Sequence, residues 1–272
     1  MIGNILKMKV QLTTPVEYQL PVNDALIALN SHIGRKIKLD YQGEINCIAC
    51  GRKTSKSYAQ GYCYPCFISL AECDMCIVKP ETCHFDAGTC RDPEWAQQHC
   101  MQTHYVYLAN SSAIKVGITR GSQIPTRWID QGASQALPIF RVASRYQSGL
   151  IEVTIKQHVS DRTDWRKMLK ADAEPRDLVA MRDQLVDLCS DRINQLQQQF
   201  GDENIQYLAD EPVVGIQYPV EQYPEKVKSL NLDKTPSIEG VLTGIKGQYL
   251  MLDSGVINIR KYSGYKLDVD LI

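Results

Sequence analysis

The sequence predicts an α+β protein in which both ends of the chain combine into one small antiparallel β module. This module is expected to carry a cysteine-rich insertion, an α/β core and a helical segment. Three observations support this class: apolar and polar residues alternate near both ends, cysteines cluster between them, and a helical pattern begins near residue 171. Alternation with a period of two is typical of half-buried strands, whereas apolar residues three or four positions apart indicate an amphipathic helix.

Strands are predicted at both ends of the chain. Residues 4–20 and 35–46 alternate apolar with polar side chains, and a short capped helix is expected at 23–29 between them. Residues 237–272 show the same alternation, interrupted by glycine-containing turns. Neither set is large enough to bury two faces of a sheet alone, so residues 1–46 and 237–272 are expected to form one module.

A cysteine-rich region is predicted at residues 47–103, where nine of the ten cysteines lie. In a chain without a secretory signal, such clustering favours metal thiolates over disulfides. The first four cysteines form two CxxC units with twelve residues between them. Two such units place four sulfurs around one tetrahedral ion, so a structural zinc ribbon is predicted. Its ligands are Cys47, Cys50, Cys63 and Cys66.

The remaining cysteines of this region exceed what one tetrahedral site needs, and a second structural zinc ion is predicted. A redox-active CxxC is the weaker alternative, because no thioredoxin-type βαβ pattern lies nearby. The ligands chosen from the spacing are Cys76, Cys83, Cys90 and Cys100, with Cys73, His84 and His104 as alternatives.

An α/β core is predicted at residues 104–170. Two adjacent strands are expected at 105–109 and 114–118, followed by a helix around Arg127, a third strand at 139–145 and a second helix at 150–159. Residues 101–170 contain ten lysines and arginines against four acidic residues, an excess of six positive charges. A localised basic excess is what a phosphate-backbone partner requires, although a solvated basic face has the same composition.

The segment between the core and the C-terminal strands is predicted to contain one amphipathic helix and a connector. Leucine, isoleucine and methionine recur every three to five positions over residues 171–200, in a polar background. Residues 201–236 contain four prolines and are expected to be irregular.

Residues 104–170 resemble the GIY-YIG nuclease superfamily. Tyr105-Val-Tyr107 stands at the first triplet of that family and Lys115-Val-Gly117 at the second, with lysine where the phage-type branch also accepts it. Arg127 matches the family's helix arginine, and Glu152 matches its metal-binding glutamate. The resemblance therefore implies a catalytic set of Tyr107, Lys115, Arg127 and Glu152, with Mg²⁺ or Mn²⁺ at Glu152.

Phosphodiester hydrolysis assigns a role to these residues. In this hypothesis Tyr107 is the base or proton relay, Arg127 stabilises developing negative charge, and Glu152 anchors the metal. Each has a simpler structural interpretation: a packed strand tyrosine, a surface arginine and a helix-capping carboxylate.

Most of the chain also resembles a bacterial protein family of unknown function. The resemblance is carried by the cysteine segments, the middle motif, and the GIKGQYL and INIRK stretches near the C-terminus. We expect a zinc-containing protein that binds DNA, RNA or a ribonucleoprotein, as an endonuclease or without cleavage. A zinc-dependent protein–protein adaptor is the further alternative.

No apolar run approaches the roughly 20 residues of a membrane helix, so a cytoplasmic location without a membrane partner is expected. The sequence leaves the oligomeric state open.

Overall fold

The computed structural model describes residues 1–160 and 162–271. Within these residues, fifteen strands form three sheets of antiparallel strands, and eight α-helices pack around them. This architecture confirms the predicted α+β class.

The largest sheet combines strands from both ends of the chain, as predicted. Its central strand β5 pairs with β15 on one side and β12 on the other, so Leu39 lies opposite both Val269 and Ile238. Ile37 and Leu39 are buried on the same face, in agreement with the alternation. The sheet consists of β1 (Ile2–Asn4), β5 (Lys36–Asn46), β6 (Lys53–Thr54), β12 (Ser237–Lys246), β13 (Tyr249–Leu252), β14 (Gly255–Asn258) and β15 (Tyr265–Leu271).

A second, three-stranded sheet covers this module. It contains β2 (Lys9–Gln11), β3 (Glu17–Val22) and β4 (Ala25–Ala28). The helix expected at 23–29 is therefore wrong. Asn23 has a φ of 51°, and with Asp24 it forms the two-residue connection between β3 and β4. Asparagine and aspartate favour tight hairpin turns as well as helix caps, so their presence does not distinguish the two structures.

The third sheet belongs to the middle of the chain and has the order β10-β9-β7-β8, with β11 also on β9. Strands β7 and β8 form the predicted hairpin, whereas β9 begins and ends earlier than expected. The connector also contributes β10 and β11 to this sheet. Its members are β7 (His104–Asn110), β8 (Ile114–Arg120), β9 (Gln135–Val142), β10 (Ile205–Tyr207) and β11 (Val214–Gly215).

The helices are α1 (Tyr64–Ser69), α2 (Met75–Val78), α3 (Pro93–His99), α4 (Thr126–Asp130), α5 (Arg145–Ile155), α6 (Trp165–Met168), α7 (Leu178–Leu188) and α8 (Ser190–Phe200). None of the helices in residues 1–160 and 162–271 combines the length and the apolar character that a membrane-spanning segment needs.

Two helix predictions are corrected by the structure. Helix α5 begins five residues earlier than expected, because Ser144 and Gln147 form a capping box at its start. The single helix expected at 171–200 is two helices that meet at Cys189, and the first starts only after Asp177, whose side chain accepts from the N–H of Ala180. Both helices pack against the middle sheet.

The middle sheet is covered on both faces. Val106 and Leu108 of β7 belong to an apolar core with α5, α7 and α8, whereas Tyr107 and Ala109 belong to the core of the terminal β module. Strand β8 forms one edge of this sheet. Helix α5 packs on one face of the sheet and the terminal module on the other, and residues of both reach this edge. The cleft described next lies there.

Candidate arginine-lined cleft and metal centre

A cleft of about 450 Å³ runs along the edge strand β8. Its walls come from five parts of the chain: residues 116–120 of β8, residues 123–131 in and around helix α4, helix α5, residues 77–80 of the cysteine-rich region, and Arg260 of the terminal module. The fold therefore brings together side chains that are far apart in sequence.

Four half-buried arginines line this cleft: Arg120 at the end of β8, Arg127 on α4, Arg145 on the first turn of α5, and Arg260. Glu152 is the acidic residue that faces them among the described lining residues. Arginine side chains remain charged at all physiological pH values. The cleft is therefore strongly positive.

The arginines lie close enough to influence one another. Burial lowers the pKa of Arg145 and of Arg260, and in each case the positive charge of Arg127 lowers it further. Nη2 of Arg145 donates to the carbonyl oxygen of Ile77 at 2.5 Å. Its Nε is buried without a hydrogen-bond acceptor among the described residues. A buried N–H group without an acceptor is unfavourable, and a bound anion could supply the missing acceptor for Arg145.

Helix geometry places Arg145 and Glu152 on the same side of α5. The two residues are seven positions apart, which is close to two full turns. Gly149 lies between them, and a Cβ there would be 2.6 Å from Cβ of Pro80. The absence of a side chain at Gly149 thus lets the cysteine-rich region pack directly on α5 and complete the cleft wall.

Tyr107 lies behind the cleft rather than in it. Its side chain is 0% exposed, and its hydroxyl donates to Oε1 of Gln131 at 3.0 Å. Burial raises the pKa of Tyr107 to about 12, although Arg127 acts to lower it. The phenol therefore remains protonated at neutral pH, and through Gln131 it supports the cleft wall.

Lys115 does not line the cleft. Its side chain is 3% exposed, and its Nζ donates to Oγ1 of Thr163 at 2.6 Å. The structure thus places Arg127 and Glu152 together in one cleft, with Tyr107 directly behind it and Lys115 apart from it.

The first four cysteines form a compact centre. The sulfurs of Cys47, Cys50, Cys63 and Cys66 all lie within 4.8 Å of one another. Cys47 and Cys50 occupy the turn after β5, and Cys63 is the N-cap residue of α1, whose first turn contains Cys66. Gly51 adopts a left-handed φ of 71° and donates its N–H to the carbonyl oxygen of Cys47, which closes the first CxxC turn.

The thiols of this centre have unequal affinities for protons. Burial acts to raise the pKa of Cys47, but backbone N–H groups of Cys63, Cys50 and Ala49 outweigh it and lower the pKa to about 6. Burial and the neighbouring cysteines raise the pKa of Cys66 to about 12. Four thiolates so close together repel one another unless a cation lies between them. Four converging sulfurs are the donor set that zinc prefers, so this centre can bind a metal such as zinc.

The other predicted metal ligands are also brought together. Cys76, Cys83, Cys90 and Cys100 line one small cavity, and among the alternatives His84 lines it as well. His84, Asp74 and Cys76 have ligand atoms within 4.8 Å of one another. His104 is instead buried at the start of β7, and Cys73 ends a short 3₁₀ turn.

Sequence reasoning missed three of the four cleft arginines: Arg120, Arg145 and Arg260. The charge excess of residues 101–170 indicated that basic residues are concentrated there, and it includes the first two. No local pattern connects Arg260 to that segment, because the contact depends on how the terminal module packs against β8.

Comparisons with known proteins identify the family of the chain. No curated protein and no solved structure matches it significantly. A family model described as "Protein of unknown function (DUF2797)" matches residues 34–267, which include the cleft and the four-cysteine centre. The chain therefore belongs to the DUF2797 family.

Proposed function

We propose that this protein binds nucleic acid through phosphate groups held in the arginine-lined cleft. The observation that carries the proposal is the convergence of Arg120, Arg127, Arg145 and Arg260 on one cavity. Burying several like charges side by side costs free energy, which an anionic ligand would offset. The proposal includes zinc at the four-cysteine centre and a cytoplasmic location, where thiols remain reduced.

Phosphate suits this cleft better than an isolated carboxylate does. A guanidinium donates parallel hydrogen bonds to two oxygens of one phosphate, and four guanidiniums suit a ligand with several anionic groups. The Nε of Arg145 lacks an acceptor among the described residues, and a phosphate oxygen could supply one. A nucleic-acid backbone offers such groups at regular spacing, and the basic excess of residues 101–170 favours its approach.

Phosphodiester cleavage is the second candidate function. Glu152 faces the arginines, and the order β7, β8, α4, β9, α5 agrees with the element order expected from the GIY-YIG resemblance. A Mg²⁺ or Mn²⁺ ion at Glu152 would stabilise charge on the leaving oxygen. Arg127 would stabilise charge on the phosphate, whereas Tyr107, which is buried and donates to Gln131, would support the cleft wall rather than accept a proton from the substrate.

Binding is tested by fluorescence anisotropy on single- and double-stranded DNA and RNA over a range of salt concentrations. Arg127→Ala and Arg260→Ala should each weaken binding and reduce the slope of log K against log salt by about one. Arg192→Ala is the matched control, because Arg192 is exposed on α8, outside the cleft. The proposal fails if the wild type binds none of these ligands, or if the control weakens binding as much as the cleft variants do.

Cleavage is tested on the same ligands with and without Mg²⁺ or Mn²⁺. Glu152→Gln should abolish metal-dependent cleavage while binding changes little, because the substitution removes an anionic ligand but keeps the side-chain shape. A wild type that binds through the arginines and cuts nothing would support a docking protein. A wild type that does neither would favour the adaptor alternative.

A further inference from the structure

Four cysteines outside the first centre line a second cavity. Cys76 lies in α2, Cys83 follows the 3₁₀ turn Pro80–Thr82, Cys90 precedes α3 and Cys100 follows it. The cavity has a volume of about 10 Å³. A space of roughly 10–15 Å³ accommodates about one water-sized particle, so it is also on the scale of one ion.

Charges around this cavity suit a metal held by thiolates. Zn²⁺ with four thiolates has a net charge of −2 and needs positive groups nearby. Arg145 lies beside two of these cysteines: its backbone N–H donates to the carbonyl oxygen of Cys100, and its guanidinium donates to the carbonyl oxygen of Ile77, the residue after Cys76. Arg91 lies at the same cavity and forms an ion pair with Asp74, in which Nε and Oδ2 are 2.7 Å apart. Arg91 and Arg145 therefore place positive charge near the sulfurs, although Asp74 offsets part of the charge of Arg91.

A different ligand set shares Cys76 with the four sulfurs. Asp74, Cys76 and His84 have ligand atoms within 4.8 Å of one another. However, Oδ2 of Asp74 already contacts Nε of Arg91 at 2.7 Å, and both ring nitrogens of His84 have protein partners. Nδ1 of His84 lies 2.8 Å from Oγ1 of Thr89, and its Nε2 lies 3.6 Å from Oδ2 of Asp74. These contacts give Asp74 and His84 structural roles beside the cavity. The four cysteines that line the cavity supply the four thiolates that a closed zinc site needs.

The second cavity is joined directly to the arginine-lined cleft. Arg145 donates from its backbone N–H to the carbonyl oxygen of Cys100 at 2.8 Å, and from Nη2 to the carbonyl oxygen of Ile77. Ile77 follows Cys76 in the chain and lines the cleft, as does Pro80, which packs against Gly149. Any group that fixes Cys76 and Cys100 therefore also fixes one wall of the cleft and the position of Arg145.

We infer that Cys76, Cys83, Cys90 and Cys100 hold a second zinc ion, and that this ion fixes the cleft wall formed by residues 77–80. The metal site rests on the four cysteines that line one cavity and does not depend on the proposed function, whereas its effect on ligand binding rests on the proposed function. Helix α2 and the 3₁₀ turn that follows it are each only one turn long. Helical segments this short are not stable by themselves, so without the ion they should lose much of their structure.

Native mass spectrometry of the full chain, purified without chelator, tests the metal count. The wild type should contain two zinc ions, and Cys47→Ser and Cys90→Ser should each contain one. His84→Ala is the matched variant for the other ligand set and should keep two ions. One ion in the wild type, two in Cys90→Ser, or one in His84→Ala would overturn the assignment.

X-ray absorption at the zinc edge tests the ligands in the wild type, where no substitution can disturb folding. Sulfur neighbours near 2.3 Å should account for the whole first shell, because both proposed sites are Cys₄. A nitrogen or oxygen shell near 2.0–2.1 Å would show that His84 or Asp74 is a ligand and would contradict the sulfur set.

Hydrogen exchange tests the effect on the cleft. Cys90→Ser should increase amide exchange in residues 77–82 at least tenfold and leave residues 47–66 protected, and unchanged exchange in 77–82 would refute the structural coupling. Nucleic-acid affinity of this variant should fall about tenfold. If the wild type binds no nucleic acid, the proposed function fails, but the zinc count and the exchange result still decide the inference.

Discussion

Gly117 of β8 and Tyr107 of β7 lie side by side at the same level of the middle sheet, and a Cβ at position 117 would be 2.7 Å from the hydroxyl oxygen of Tyr107. The tyrosine cannot move away easily, because it is fully buried and its hydroxyl is bound to Gln131. Gly117 also lines the cleft. The pair thus connects the interior of the protein to the floor of the candidate site.

The first prediction follows from this contact. Gly117→Ala should lower the free energy of unfolding by about 1–3 kcal/mol, because the methyl group overpacks a closed interior. Gly215→Ala is the matched control: Gly215 lies in a strand of the same sheet, and a Cβ there meets nothing within 4 Å. Urea denaturation of both variants measures the difference, and equal stabilities would contradict the packing described here.

The second prediction concerns the zinc ion that we propose for the first cysteine centre. Because thiols must lose their protons to bind metal, and because the pKa of Cys66 is raised to about 12, zinc affinity should fall as the pH falls. Removal of the metal with a strong chelator should increase the rate of amide hydrogen exchange in residues 47–66. The control is Cys189→Ala, a buried thiol outside both cysteine groups, which should leave the zinc content unchanged.

The third prediction concerns pH and His104. Burial lowers the pKa of His104 from 6.5 to about 4, so the unfolded chain takes up a proton more readily than the folded chain does. The stability due to the neutral ring is complete above pH 6.5 and is lost as the pH falls from 6.5 through about 4. The loss should reach roughly 3 kcal/mol in total, since one pKa unit corresponds to about 1.4 kcal/mol.

His104→Gln should remove this part of the pH dependence, which is measured as the free energy of unfolding at a series of pH values. His158→Gln is the control, because His158 is exposed. If wild type and His104→Gln lose stability in parallel between pH 6.5 and 4, the histidine is not held neutral.

The fourth prediction concerns the strand that joins the two ends of the chain. Leu39→Ala in β5 should cost about 2–5 kcal/mol, because Leu39 is 1% exposed and packs in the largest core. Hydrogen exchange should increase in both β12 and β15, which flank β5. Gln42→Ala, at an exposed position of the same strand, should change stability by less than about 0.5 kcal/mol. An effect confined to one neighbour would show that the module is not cooperative.

Local patterns predicted the parts of the fold that depend on local physics. The alternation around Leu39 reflects a strand buried on one face, and the spacing of Cys47 and Cys50 reflects a turn that places two sulfurs together. The same approach failed at Asn23, where a residue type suited to two structures was assigned to the wrong one. It also missed the break at Cys189, which has no glycine or proline to signal it.

The candidate site was only partly predictable, because it is assembled from distant segments. Arg127 and Glu152 could be named from one stretch of sequence, and the structure places both in the cleft. Arg260 joins them from the C-terminal part of the terminal module, more than one hundred residues later in the chain. Periodicity indicates which face of an element is buried, but it does not indicate which element covers that face. Contacts between modules therefore had to come from the structure.

If the cleft binds a polyanion as proposed, the crowding of its four guanidiniums would also link ligand supply to the lifetime of the protein. Only the folded chain holds these groups together, so a polyanion that binds them shifts the folding equilibrium by RT ln(1 + [L]/Kd). At a ligand concentration one hundred times the Kd this is about 2.7 kcal/mol, a large fraction of the stability of an ordinary domain. A chain of this design would resist heat and proteolysis best where its ligand is abundant, and would be degraded fastest where the ligand is scarce.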